Sequence, residues 1–167
     1  MPKFFRAALL AALGAGFAAA QAKIGIVNSA RAISATAEIK KAQAELEARF
    51  KPRQDELAKL QQDLQTIQSQ LQGGKLSQQG QQELTADGQT KQREFTRKEQ
   101  DLRDDVDRER QDILGRANAR MQDVVKTIAN EKGLDAVFDS STMVFFKPAL
   151  ELTEEAIAAY DKAYPVK

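Results

Sequence analysis

The chain has 167 residues, of which 29% are charged and 42% are hydrophobic, and its formal net charge at pH 7 is +1. It contains no histidine and no cysteine, which excludes a Ser-His-Asp triad, a cysteine nucleophile, disulfides, and metal sites built on imidazole or thiolate. A net charge this close to zero argues against nucleic acid or an anionic membrane as the main partner.

Residues 1–22 have the pattern of a cleavable signal peptide. Lys3 and Arg6 precede an uncharged, mostly apolar stretch, and Ala20-Gln21-Ala22 is a small-x-small cleavage site. The apolar run is shorter than the ~18–20 residues that a membrane-spanning helix needs. We therefore predict export, with cleavage after Ala22. Cleavage removes two of the 25 basic residues and none of the 24 acidic ones, which leaves a net charge of about −1.

The segment from Arg31 to Leu71 has the periodicity of a long amphipathic helix. From Leu57 onward its apolar residues are spaced alternately three and four residues apart, which is a heptad seam. The other faces are rich in Gln, Lys, Asp and Glu, so the seam is narrow. The apolar positions of this first arm are Ile39, Leu46, Phe50, Leu57, Leu60, Leu64, Ile67 and Leu71.

A second helical segment follows a break at Gly73-Gly74. Glycine is the usual residue just past a helix end, and Ser77 can cap the next helix. This second arm runs from about 78 to 130, and its apolar residues are sparse before Ile113 and denser after it. They are Leu84, Phe95, Leu102, Val106, Ile113, Met121, Val124 and Ile128. Together the two arms predict a long antiparallel helical hairpin.

Three positions predict that the arms bend. Pro52 lies inside the first arm, where proline removes a hydrogen bond and clashes with the preceding turn, so we expect a hinge with a kink or a helix restart near 50–52. Gly80 and Gly88 each cost ~1 kcal/mol relative to alanine in a helix interior. On periodicity alone, an ordinary coiled-coil rod is an equally good interpretation of the arms.

Short apolar runs near both ends of the chain predict a small β body. Ile24–Val27, 136–138 and 143–146 are expected to be strands, with turn residues at 139–142. Runs that are apolar on both faces are buried on both sides, and three strands this short cannot cover themselves. We therefore expect copies of the chain to pool their strands into one shared sheet or barrel.

The C-terminal segment predicts one more helix. Pro148 should end the third strand, and Thr153 should cap a helix whose first turn carries two glutamates. Ile157 and Tyr160 should face inward on that helix, with Tyr164 following them.

The predicted fold class is α+β and mostly α, a long antiparallel hairpin on a small β body assembled from several subunits. After the signal peptide, residues 23–167 form a single domain. Its body comprises 23–38 and 125–167, and its hairpin spans about 39–124 with the tip near 73–76.

In order and spacing, several segments resemble the Skp/OmpH family of periplasmic chaperones, and the resemblance covers essentially the whole chain. Each motif is weak alone, but their sequence along the chain is fairly specific. They are a signal peptide followed at once by Lys23-Ile24-Gly25-Ile26-Val27-Asn28, the Gln/Lys/Glu-rich arms, Gly133-Leu134-Asp135-Ala136-Val137-Phe138-Asp139, and Phe146-Lys147-Pro148 leading to Glu151-Leu152-Thr153.

The resemblance implies a homotrimer in which a β-barrel body carries three helical tentacles around a cavity. It implies an ATP-independent holdase without cofactors, whose clients are unfolded outer-membrane proteins in the periplasm, and outer-membrane assembly machinery as a further partner. The body strands would hold Ile24, Ile26, Phe138, Val144 and Phe146. The candidate client-binding residues of the tentacle are Leu60, Leu64, Ile67, Leu71, Leu76 and Leu84.

The charge balance departs from the family, whose members are often strongly basic. Acidic and basic residues are equal in number between Glu38 and Lys126, so general positive charge is not expected to grip a client. No residue is assigned to lipopolysaccharide, and its binding stays open. A local basic strip contains Arg93, Arg97, Lys98 and Arg103.

The functional prediction is thus a holdase that prevents aggregation of outer-membrane proteins by many weak contacts within the cavity. The alternative is an exported coiled-coil spacer or assembly adaptor without chaperone activity. Nucleic-acid binding is disfavoured by export and neutral charge. Catalysis is the least favoured reading, because carboxylate pairs such as Asp104-Asp105 belong to a solvated run of alternating charge.

Overall fold

The computed structural model describes residues 22–166. The predicted signal peptide, apart from Ala22, lies outside the described residues. The elements in chain order are strand β1 (Ile24–Val27), helix α1 (Ser29–Ala35), helix α2 (Ala37–Gln72), helix α3 (Gln78–Lys132), strand β2 (Ala136–Asp139), 3-10 turns at Ser140–Thr142 and Pro148–Leu150, and helix α4 (Thr153–Ala163).

Helices α2 and α3 form the predicted antiparallel hairpin. Gly74 has a φ of +65° between the two helices, a conformation that glycine adopts without steric cost. At the start of α3 the Ser77 hydroxyl accepts a hydrogen bond from the Gly80 N–H at 3.1 Å, as the sequence predicted. The hairpin therefore reverses between residues 73 and 77.

The first arm differs from its prediction in two ways. It is not one helix from Arg31, because Thr36 is extended (φ −61°, ψ 149°) and separates α1 from α2. The Thr36 hydroxyl accepts a hydrogen bond from the Ile39 N–H at 3.3 Å and so caps α2. The expected helix restart near Pro52 is also wrong, because α2 continues through Pro52 to Gln72.

Strands β1 and β2 pair in parallel, with Ile24 opposite Ala136 and Val27 opposite Asp139. Parallel strands need a crossover connection, and here the whole hairpin is that crossover. The Leu152 N–H donates to the Ile26 carbonyl at 2.8 Å and extends the pairing on the other side of β1.

The predicted third strand at 143–146 is not formed within the described chain. Asp139 instead caps a 3-10 turn, its carboxylate accepting from the Ser141 N–H at 2.8 Å. The backbone is extended at Met143 and again at Lys147, but it has no strand partner in residues 22–166. Pro148 begins a second 3-10 turn rather than ending a strand.

Helix α4 closes the core over α1 and the base of α3. Tyr160 is fully buried and Ile157 packs against the core, as predicted. The predicted cap at Thr153 is wrong: Thr153 is the first residue of α4, is fully buried, and accepts a hydrogen bond from the Asn28 N–H at 3.0 Å. The central cluster contains Val27, Ala32, Met121, Val124, Ile128, Ala156 and Tyr160.

Candidate functional site

The predicted client-binding residues of the tentacle all lie in or beside the seam between α2 and α3. Leu60 and Ile67 are buried, 8% and 7% exposed. Close packing at this level is shown by Gly88, where an added Cβ would lie 3.1 Å from Ile67 Cγ2. The remaining four are half-buried: Leu64, Leu71, Leu76 and Leu84. Their contact with a client stays a prediction.

The arms present little apolar surface outside this seam. No large apolar side chain between residues 51 and 113 is exposed. The first such side chain on the hairpin is Leu114, 43% exposed, near the root of α3. Apolar contact with another chain along the arms is therefore confined to the seam and its rims.

Ion pairs between the arms run along the middle of the seam, from Asp63 to Arg49 on α2. Near the tip, the amines of Lys91 and Lys98 reach α2 carboxylates at 3.2 and 2.8 Å; nearer the root, α3 carboxylates meet α2 guanidinium groups at 2.7 and 2.8 Å. The four pairs are Lys91–Asp63, Lys98–Glu56, Asp105–Arg53 and Glu109–Arg49.

The predicted basic strip is divided by this arrangement. Lys98 belongs to the seam, since its amine is bound to Glu56 and its pKa is raised chiefly by that hydrogen bond. Arg103 pairs with Glu99 on the same helix, whereas Arg93 and Arg97 are exposed. Arg93 and Arg97 thus remain as an outward-facing basic pair, beside Arg103, which is exposed but bound to Glu99.

At the root of the hairpin a polar cluster joins both arms to α4. The buried Tyr160 hydroxyl donates to Glu38 Oε2 at 2.5 Å, while Arg120 donates to Glu38 Oε1 at 2.7 Å. Burial and the neighbouring Glu38 carboxylate raise the pKa of Tyr160 to about 12. The Arg120 guanidinium also lies over the Tyr164 ring, 4.8 Å from its centroid. The cluster fixes the base of each arm against α4.

The N-terminus of α2 is held by α4 as well. The Asp161 carboxylate accepts a hydrogen bond from the Ala37 N–H at 2.9 Å, which satisfies a backbone donor that the helix itself cannot pair. Nothing in the local sequence around Ala37 indicates this contact, because the two residues are 124 positions apart.

Between the root cluster and Phe50 the two arms leave a cleft of about 460 Å³. Its lining is mainly apolar, with a few polar side chains at the rim. The apolar lining residues are Ile39, Ala42, Leu46, Phe50, Val106, Ile113 and Leu114. Leu46 and Ile113 also line a second, more polar opening that Val166 borders.

Pro52, the predicted hinge, lies within a continuous helix and beside a cation–π cluster. The guanidinium groups of Arg49 and Arg53 lie 5.3 and 5.5 Å from the Phe50 ring centroid. Phe50 is buried in the seam. Bending at Pro52 stays a prediction.

The body exposes apolar residues that the predicted oligomer would cover. Val144 is 107% exposed and Phe145 is 81% exposed, on the extended segment without a strand partner. Phe138 on β2 is 43% exposed. The other predicted body residues are covered to different degrees: Ile26 is fully buried, and Ile24 and Phe146 are partly buried.

The described residues offer no cluster of ligands for a metal ion. Within 22–166 no group of three or more acidic side chains is placed to hold a metal ion. Every buried side-chain nitrogen or oxygen in that part of the chain has a hydrogen-bond partner. None of the helices described is both long and apolar enough to cross a membrane.

The comparisons with known proteins agree with the resemblance seen in the sequence. Residues 23–160 match the family model of OmpH-like outer membrane proteins. The chaperone protein Skp of Yersinia enterocolitica is 31% identical over 160 residues, which cover 94% of this chain and 98% of that protein. A solved OmpH-like structure from Caulobacter crescentus superposes with a TM-score of 0.72 at 20% identity, covering 89% of each chain. The chain is therefore a member of the Skp/OmpH family.

Proposed function

We propose that the chain is an ATP-independent periplasmic holdase that binds unfolded outer-membrane proteins and prevents their aggregation. The observation that carries the proposal is the match to the chaperone Skp over 94% of the chain. The absence of histidine and cysteine and the lack of a metal cluster in residues 22–166 fit a protein that works by binding.

The working unit proposed is a homotrimer. A two-stranded sheet is marginally stable by itself, and the chain leaves Val144, Phe145 and Phe138 in water. Pairing of 143–147 with strands of other copies would bury these side chains and close the open sheet edge. Three copies would place three hairpins around one cavity, as the family resemblance implies.

Client binding is proposed to be weak at each site and multivalent. The apolar seam and the cleft at the root, with Phe50 and Leu114 in its lining, offer small apolar areas distributed along each arm. Three such arms raise avidity without a strong single contact. Release would need no nucleotide, because folding of the client into its membrane removes it from the chaperone.

Export by the signal peptide would place the protein in the periplasm, where the clients pass. Outer-membrane assembly machinery is retained as a further partner from the family resemblance. The exposed basic pair Arg93 and Arg97 is small, and no lipopolysaccharide site is proposed on it.

A dilution assay on residues 23–167 tests the proposal. A urea-unfolded outer-membrane β-barrel protein is diluted into buffer without ATP, and light scattering is followed with and without a stoichiometric amount of chaperone. We expect suppressed scattering and a soluble complex. Unchanged scattering by a folded, oligomeric protein would favour the alternative, a coiled-coil spacer or assembly adaptor.

A matched pair of variants tests the assembly. Val144→Asp should yield smaller particles in sedimentation, because its charge falls in the proposed contact between subunits. Val166→Asp is the control, since Val166 is an exposed valine beside the hairpin root. Equal sedimentation of both variants and the parent would place the subunit contact elsewhere.

A further inference from the structure

Half of the α3 residues that face α2 along the seam are charged. From Leu84 to Glu109 the residues that face α2 follow steps of four and three, the spacing of a heptad seam. Four of these eight positions are charged and one is glycine. In order from the tip they are Leu84, Gly88, Lys91, Phe95, Lys98, Leu102, Asp105 and Glu109.

Each charged seam residue pairs with an α2 residue of opposite charge, and the signs change halfway. Near the tip α3 is positive and α2 is negative, as in Lys91–Asp63 at 3.2 Å. Nearer the root the signs are exchanged, as in Asp105–Arg53 at 2.7 Å. Hydrogen bonding to Arg53 lowers the pKa of Asp105. A hairpin displaced by a heptad or more would lose some of these pairs and place like charges together.

These pairs are only partly shielded from water. The side chains of Lys91 and Lys98 are 29% exposed, so they are neither free in water nor enclosed. An apolar residue at a heptad position would hold the arms by burial, whereas a partly exposed ion pair contributes less and is weakened further by salt. The middle of the seam is therefore held less firmly than the root, where Met121 and Val124 are buried.

We propose that the four pairs form an electrostatic latch: they hold the two arms closed between 49–67 and 88–109, and parting of the arms exposes the apolar seam to a client. The closed arms cover Leu60, Ile67 and Leu102 almost completely, and no large apolar side chain between 51 and 113 is exposed outside the seam. Opening of the seam would expose these side chains and so provide the apolar surface that a client could contact along the arms. The part that concerns the client rests on the proposed function, and the latch itself does not.

The latch is tested by thiol labelling, for which a cysteine-free chain is well suited. Ile67→Cys in the mature chain places a single buried thiol in the seam. Adding Glu56→Lys and Asp63→Lys sets like charges against Lys98 and Lys91. At low salt we expect labelling to become about 10-fold faster, since two pairs are lost and two repulsive contacts replace them.

The decisive comparison is with a variant in which opposite charges again face each other across the seam. Adding Lys91→Glu and Lys98→Glu to that variant exchanges the charges within these two pairs. It should bring the labelling rate back to within about twofold of the parent, because both pairs re-form with opposite polarity. The control is Asp101→Lys with Asp107→Lys, which changes net charge equally at two exposed positions outside the seam and should leave labelling unchanged. Equal labelling rates in all variants would overturn the latch. So would a labelling rate that stays high in the variant with exchanged charges.

Client access is read separately, by disulfide formation with an unfolded outer-membrane protein that carries one cysteine. Ile67→Cys should form the mixed disulfide, in higher yield with Glu56→Lys and Asp63→Lys present. The exposed Lys59→Cys reports the outer face of α2. Cross-linking at Lys59→Cys alone would show that clients bind outside closed arms. A client that is not bound at all would refute the proposed function and leave the labelling result standing.

Discussion

Replacing Tyr160 by phenylalanine tests whether the polar cluster at the hairpin root stabilises the fold. Tyr160 is fully buried, and its hydroxyl donates to Glu38 Oε2 at 2.5 Å. The substitution removes one hydrogen bond to a carboxylate and keeps the ring. Glu38 retains its contact with Arg120 at 2.7 Å, so the carboxylate is not left unpaired.

The magnitude follows from the surroundings of Glu38. A hydrogen bond to a charged group contributes ~1.5–3 kcal/mol, but the Glu38 side chain is 25% exposed and water can replace part of what is lost. We therefore expect the free energy of unfolding to fall by about 1–1.5 kcal/mol, at or just below the lower limit of that range. Tyr164→Phe is the control, because the Tyr164 hydroxyl makes no hydrogen bond within residues 22–166.

Urea unfolding at one protein concentration is the assay, because assembly makes the midpoint depend on concentration. Since the folded pKa of Tyr160, about 12, lies above its unfolded value, its contribution is complete below pH ~10 and is lost as pH rises toward the folded pKa. The difference in unfolding free energy between the parent and Tyr160→Phe should therefore become smaller as pH rises above ~10. A Tyr160→Phe variant as stable as Tyr164→Phe at neutral pH would refute the reasoning.

Further predictions concern backbone space, an acidic cap and the hinge. Gly25→Ala should lower the free energy of unfolding by about 1–3 kcal/mol, since a Cβ there would lie 2.5 Å from a Leu152 methyl. In the same urea assay, Gly115→Ala should raise it by about 0.5–1 kcal/mol, because the added Cβ meets nothing within 4 Å. Hydrogen bonds from Ser141 and Ser29 hold the pKa of Asp139 well below its usual range, so its contribution is present above the unfolded pKa of ~3.9 and is lost as pH falls below it. Asp139→Asn should therefore lower stability at pH 7 and make the thermal midpoint fall less steeply with decreasing pH than it does in the parent. An equal acid dependence of the midpoint in both proteins would contradict this. Pro52→Ala should slow amide exchange around 48–56 and narrow the range of clients, and unchanged exchange would show that Pro52 is not a hinge.

The hairpin was predictable because its signals are local. The heptad spacing from Leu57 to Leu71 predicts the first helix. Gly74 predicts where that helix ends, and Ser77 predicts where the next helix begins, so the position of the turn follows from residues close together in the sequence. The break at Thr36 was missed, although the threonine that caps α2 is itself a local signal that could have located it.

The charged half of the seam was missed for a different reason. Lys91, Lys98 and Asp105 look like solvated residues in the sequence, because their partners are 28, 42 and 52 positions away. Had the heptad spacing been extended from Leu84 through Phe95 to Leu102, it would have placed the charges in the seam. The predicted third strand failed because strand pairing needs a partner, and the described chain supplies none for 143–146.

By itself, the sequence determined the class of fold, the antiparallel hairpin and membership of the Skp/OmpH family, because periodicity, turn residues and motif order are properties of neighbouring positions. Only the tertiary structure decided that the seam contains ion pairs whose polarity reverses halfway along it, that α4 ties both arms through Tyr160 and Asp161, and that Val144 and Phe145 lie in water. These features depend on which distant residues meet, and an ion pair or buried hydroxyl has a defined energy only once its partner and its exposure to water are fixed.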